Sequence, residues 1–232
     1  MYFPTILRKT AFLVSGKIVL SDHVRNFAYQ WAWSYVRKLP LGSRILDIGS
    51  RDSLFPAFLA WRGFDVCAIE KDPRFAIRQT NISRRWNVLF SAQTTDFLAY
   101  TPQMSHNAVL TLFSLQHAGD DDAPAYRKAA AMLAPGGIVL SVCEYDPGGA
   151  RRHESRDDGA MRIYGPKDIE ERIERPLREG GVEILEKRFA GFVGNNKTIV
   201  WCDGSTQIRG SEACSPAFLF LRCVKKTMEA EA

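Results

Sequence analysis

Asp47, Gly49 and Ser50 stand in the run Leu46-Asp47-Ile48-Gly49-Ser50-Arg51-Asp52-Ser53, which follows directly on a short apolar stretch. A glycine there permits a tight turn and close approach of backbone to a ligand, and an acid beside it suits an ammonium or a ribose hydroxyl. Glu70 closes the next apolar stretch, the place from which a carboxylate accepts hydrogen bonds from the ribose of a bound nucleoside. Together these residues imply a nucleoside-bearing ligand. A dinucleotide would need the glycines of G-x-G-x-x-G to seat its pyrophosphate, and Arg51 and Leu54 occupy the second and third of those positions, which disfavours it.

A second group of residues bears on proton handling and recognition. His117, in Ser114-Leu115-Gln116-His117-Ala118-Gly119-Asp120, is a candidate general base or positioning group, with helix capping as its structural alternative. His153, His23 and His106 are weaker candidates. Asp120, Asp121 and Asp122 are consecutive and cannot converge on one ion; a helix N-terminus accounts for them, and no metal is expected. Arg151, Arg152 and Arg156 could grip an acidic substrate or form a solvated face, and Tyr145, Tyr164 and Trp201 could line a pocket or pack.

These residues need a scaffold, and the hydrophobic patterning supplies one. Short apolar runs at Arg44–Gly49, Asp65–Glu70, Asn87–Ala92, Ala108–Phe113 and Ile138–Cys143 read as strands, alternating with helical runs at Leu54–Arg62 and Asp122–Leu133. Such alternation predicts a doubly wound α/β domain with a mostly parallel sheet. Glu144 to Asp158 reads as a long loop, and Lys167 to Glu179 as a helix broken near Pro176. Val182 to Phe189 and Ala217 to Val224 read as two last, antiparallel strands, with a short strand at Thr198 to Cys202 between them. Residues 1–41 form an N-terminal helical extension whose aromatic stripe either packs or closes over a site with Tyr29, Trp31 and Trp33. Residues 42–232 form the ligand-binding domain.

With 46% hydrophobic and 25% charged residues the composition is that of a globular chain, and a net charge of +5, spread along it with no basic run, allows nucleic acid as a partner without indicating it. Five widely spaced cysteines with no CxxC pair read as reduced thiols of a cytoplasmic protein. Lys17 interrupts the early apolar stretch, which therefore lacks the form of a signal peptide, and no run reaches the roughly 20 apolar residues of a membrane span.

From Ser43 onward the chain resembles the class I S-adenosylmethionine-dependent methyltransferases. The resemblance rests on Ile45-Leu46-Asp47-Ile48-Gly49, Ala68-Ile69-Glu70-Lys71-Asp72-Pro73, Thr95-Asp96-Phe97 and Leu133-Ala134-Pro135-Gly136-Gly137, arriving in the family's order. It implies a Rossmann-like seven-stranded sheet with an antiparallel last strand, and S-adenosylmethionine as cofactor with S-adenosylhomocysteine as product. Asp47, Gly49 and Ser50 would then hold the methionine portion and Glu70 the ribose. Asp96 would accept from the adenine amino group, flanked by Lys71 and Phe97. Arg51 and Ser53 stand in the same cofactor loop where many members carry glycine, and Ser114 opens the loop beside the transfer site. A long cation near a sulfonium must point away from it or pair with Asp52 or Glu70. The expected activity is methylation of a small molecule. RNA methylation, suggested by Arg74, Arg78, Arg84 and Arg85, and a non-catalytic nucleoside-binding scaffold are the alternatives; the chain carries no Asn/Asp-Pro-Pro-aromatic tetrapeptide.

Overall fold

The computed structural model describes residues 23–155, 159–193, 198–202 and 215–226. Its main sheet has eight strands in the order β3-β2-β1-β4-β5-β10-β8-β9. These are β1 (Arg44–Ile48), β2 (Asp65–Glu70), β3 (Ser91–Thr94), β4 (His106–Leu112), β5 (Leu133–Glu144), β8 (Val182–Val193), β9 (Thr198–Cys202) and β10 (Ser215–Lys225). β1 to β5 pair in parallel, while β10 runs antiparallel to both β5 and β8. The antiparallel pair stands where the sequence puts it. β9 extends the sheet beyond β8 and makes it eight-stranded.

Period-two patterning divides the strands between two cores. In β1, Ile45 faces one cluster and Leu46 the other; in β4, Ala108, Leu110 and Leu112 face the first and Val109 the second. The first face is covered by α1 (His23–Val36) and α2 (Phe55–Trp61), through Ala28, Trp31, Phe55 and Phe58. The second is covered by α4 (Asp122–Ala131) and the helix 166–179, α5, through Tyr126, Ile169 and Leu177. Within α5, Pro166–Asp168 leads into a π turn, Ile169–Glu174, followed by Arg175–Glu179. The break expected near Pro176 therefore takes the form of a widened turn just ahead of it, which accommodates a proline that cannot donate to the ladder.

Two expectations change in detail. The Ala134-Pro135-Gly136-Gly137 turn lies inside the start of β5 as a bulge, with the register to β4 shifting between His106 and Ala108. Gly137 is required there, since a Cβ would meet the carbonyl oxygens of Ala134 at 2.9 Å and His106 at 3.0 Å. The stretch Glu144 to Asp158, expected as a long loop, holds the first strand of a hairpin, β6 (Arg151–Ser155), whose partner β7 (Gly159–Ile163) follows it. Among the described residues no helix is long and apolar enough to cross a membrane. Cys67, Cys143 and Cys223 are free thiols, and Cys214 lies outside the described residues.

Candidate active site

Strand order reverses between β1 and β4, and ligands of doubly wound sheets bind at the carboxyl ends of the strands flanking that point. At the end of β1 the chain turns at Gly49, φ +70°, and continues through Arg51, also left-handed at φ +54°. Three groups hold this turn. Gly49 N–H donates to the Ile69 carbonyl at 2.8 Å. Gln79 of α3 (Pro73–Trp86), fully buried, donates to the carbonyls of Arg51 and Ser53 at 2.8 and 2.9 Å. Glu70 accepts through Oε1 from Ser50 Oγ at 3.0 Å and from the Arg51 amide.

The orientation of Arg51 is thereby settled. Its guanidinium lies over the ring of Phe75, 4.7 Å from the centroid, in a cation–π contact, while its amide serves Glu70.

Along this edge lies a cavity of about 340 Å³, a size within the range of small-molecule sites. Gly49, Arg51, Glu70 and Lys71 line it from β1 and β2; Asp96, Phe97, Ser114 and His117 line it from the loops after β3 and β4. Asp96 accepts from Lys71 Nζ at 2.9 Å and from the Leu98 amide at 2.9 Å. The hydrogen bond from Lys71 holds the Asp96 carboxyl below its ordinary range, and the same bond raises the Lys71 ammonium. Ser114 Oγ is buried without a hydrogen-bond partner, and a Cβ on Gly49 would come within 2.7 Å of Ser114 Cβ. An orphaned hydroxyl beside a glycine-only cradle is what a polar ligand pressed against this turn requires.

A second cavity, of about 240 Å³, adjoins the first. Gly49, Arg51, Phe113 and His117 line both. Val24, Arg25 and Tyr29 of α1, with Ser50, Leu112, Gln116, Glu144, Met161 and Phe218, complete its walls. Phe113 sits at φ +61°, a conformation of the kind that concentrates at functional sites. Gln116 braces this wall, accepting from the Glu144 amide at 2.9 Å and donating to Met161 Sδ at 3.0 Å.

Asp47 and Ser53 take other positions. Asp47 is buried behind the turn and lines neither cavity, and Ser53 Oγ accepts from the Phe55 amide at 3.0 Å, at the start of α2. Burial first, then the charge of Glu70, pushes the Asp47 carboxyl up to about 8. An acid whose folded pKa lies above its unfolded value contributes stability present at low pH and lost as pH rises. The wild-type chain should therefore lose stability relative to Asp47→Asn between pH 4 and pH 8, read from melting temperatures across that window; parallel profiles would contradict the assignment.

Of the other candidates, Trp31 and Trp33 are core residues. Trp31 packs edge-on against Phe220 at 5.2 Å and Trp33 against Phe58 at 4.9 Å. His106 begins β4 at the end of the sheet away from the cavities, where burial lowers its pKa to about 4. Arg151 pairs with Asp146 at 2.5 Å and Arg152 with Asp120 at 2.7 Å, while Arg156 and the side chains of His23 and His153 lie outside the described residues. Asp122 is fully buried; it accepts from Arg172 Nε at 2.9 Å and from Tyr164 at 3.0 Å, and pairs with Arg162 at 3.2 Å. This cluster ties the β6–β7 hairpin and α5 to the loop that carries His117. Sequence patterning puts Asp122 at a helix N-terminus, where it stands, but misses its buried ion pairs, and it misses Gln79 and Gln116; the signal for Gln79 is a lone polar residue on the buried face of α3.

Many solved structures share this architecture, three of which follow. The 1,6-didemethyltoxoflavin-N1-methyltransferase of Burkholderia thailandensis, with bound 1,6-didemethyltoxoflavin and S-adenosylhomocysteine, is 13% identical over 97% of this chain and 89% of its own, with a TM-score of 0.64. The N-methyltransferase NodS of Bradyrhizobium japonicum, in complex with S-adenosylhomocysteine, is 19% identical over 89% of this chain and 90% of its own, at 0.60. The fold is that of the class I S-adenosylmethionine-dependent methyltransferases. The [4+2]-cyclase SpnF shares it too, at 14% identity over 97% of this chain and 94% of its own and a TM-score of 0.62, so this methyltransferase fold also carries other chemistry. No family model and no curated protein matches the sequence.

Proposed function

We propose that the chain transfers a methyl group from S-adenosylmethionine to a small-molecule acceptor. The observation that carries this reading is the meeting of two cavities at Gly49, Arg51, Phe113 and His117, one sized for the cofactor and one for an acceptor. The larger cavity suits the cofactor in its donor set: carboxylates at Glu70 and Asp96, the apolar Phe97, and the orphaned Ser114 hydroxyl beside Gly49.

When bound, the cofactor supplies an electrophilic methyl carbon on a cationic sulfur. The chain's own work is to orient the acceptor and to manage its proton. Glu70 would hold the ribose hydroxyls, Asp96 the adenine amino group, and the Gly49–Ser50 turn and Ser114 the methionine portion. Phe97 and Lys71 would border the adenine. Arg51, its guanidinium drawn over Phe75, lines the cavity beside that ring. His117, on the seam, would receive a proton from the acceptor, and Tyr29 of α1 closes the acceptor side. The RNA reading draws less support: Arg74 pairs with Asp72 at 2.6 Å and Arg78 approaches Asp52 at 4.0 Å, on a helix that flanks the cavity for the cofactor.

Glu70→Ala should weaken S-adenosylhomocysteine binding by about 1.5–3 kcal/mol, some ten- to hundredfold, because charge-assisted hydrogen bonds to ligand and turn are lost together. Titration calorimetry reads this directly. Wild-type affinity in the variant would remove Glu70 from the site.

A further inference from the structure

We propose, resting on the methyl-transfer reading, that the acceptor is a small, flat aromatic compound that presents a weakly acidic ring N–H or phenolic O–H, and not an aliphatic amine. The smaller cavity, about 240 Å³, falls below the roughly 300–1,000 Å³ of drug-sized sites, so it takes one ring or two fused rings. Beside Val24 and Leu112, three aromatic side chains wall it, each packed on a neighbouring ring. Tyr29 is stacked on Phe55 with centroids 4.7 Å apart, and Phe113 meets Phe218 edge-on at 5.9 Å. Rigid aromatic faces reward a flat π system over a puckered aliphatic body of equal size. Met161 adds a polarizable thioether, which Gln116 holds at 3.0 Å.

The charges select further. Arg25 and Glu144 both line the cavity, while the Arg51 guanidinium is drawn away over Phe75, a residue of the larger cavity. One guanidinium to one carboxylate leaves the wall without net charge, and such a pocket desolvates an ammonium, the form of an aliphatic amine near neutral pH, at a cost that a neutral ring N–H or phenolic O–H escapes. His117 stands where that proton must go, on the boundary between the two cavities.

The test uses the chain saturated with S-adenosylhomocysteine and three probes of similar bulk: benzimidazole, phenol and cyclohexylamine, titrated at pH 7 by ligand-observed magnetic resonance. Benzimidazole and phenol should bind about tenfold more tightly than cyclohexylamine. Met161→Trp, which fills the smaller cavity from a residue that does not border the larger one, should weaken both aromatic probes at least about tenfold and leave S-adenosylhomocysteine affinity unchanged. Tyr29→Ala should weaken them without filling the cavity. Cyclohexylamine binding as tightly as the aromatics overturns the proposal, as does probe binding untouched by both variants. A chain that takes up S-adenosylhomocysteine but none of the probes overturns it as well. Failure of S-adenosylhomocysteine itself to bind strikes the cofactor reading instead, so the two are told apart.

Discussion

Gly49→Ala is expected to cost about 2–5 kcal/mol of stability and to abolish measurable cofactor binding. Two penalties add. A residue with a Cβ in the left-handed region costs about 1–2 kcal/mol, and Gly49 stands at φ +70°. The new Cβ would also lie 2.7 Å from Ser114 Cβ, closer than carbon atoms tolerate, so the loops after β1 and β4 must part. Overpacking of that kind costs about 1–3 kcal/mol. Gly42 is the internal control: its φ is +77° but nothing lies within 4 Å of its would-be Cβ, so Gly42→Ala should carry the backbone penalty alone. Urea unfolding of both variants separates the two contributions. Equal losses would mean that the turn does not press against Ser114.

Asp122→Ala should be the costliest single truncation, at about 3–5 kcal/mol, because it strips a fully buried carboxylate from Arg162 and Arg172 and leaves them only the solvent-exposed Asp120 as a partner. Asp120 contacts Arg152, Arg162 and Arg172, but its side chain is 76% exposed. Asp120→Ala should therefore cost under about 1 kcal/mol. The contrast isolates burial from ion-pair count. Because Asp122 joins α5 and β7 to the loop of His117, the variant should also speed amide exchange in Gln116, His117 and Met161 while β1 and β2 stay protected. Uniform loss of protection would show global destabilisation in place of local release.

The turn after β1 and the carboxylate ending β2 are legible in the sequence because a parallel sheet imposes them locally: an apolar run, a glycine, an acid at the next strand's end. The antiparallel β8 and β10 are legible because no helical run separates them in the sequence. The orientation of Arg51 is not, since it depends on Phe75 arriving from α3. Nor is the choice between lid and core for Trp31 and Trp33, because an amphipathic aromatic stripe is the same on paper whichever surface receives it. Phe220 and Phe58 decide that choice in three dimensions. The β6–β7 hairpin hides in a polar, charged stretch. Its order comes from arginines that reach Asp120 and Asp122 across the chain, a pattern without periodicity. Gln79 and Gln116 escape notice on similar grounds, each bracing backbone carbonyls or amides of a distant segment.

Titration calorimetry with S-adenosylhomocysteine and, separately, with NADH tests the central claim most directly. One molecule of S-adenosylhomocysteine should bind per chain, with affinity lowered some ten- to hundredfold by Glu70→Ala, and NADH should give no heat. Binding of NADH with none of S-adenosylhomocysteine would contradict the account.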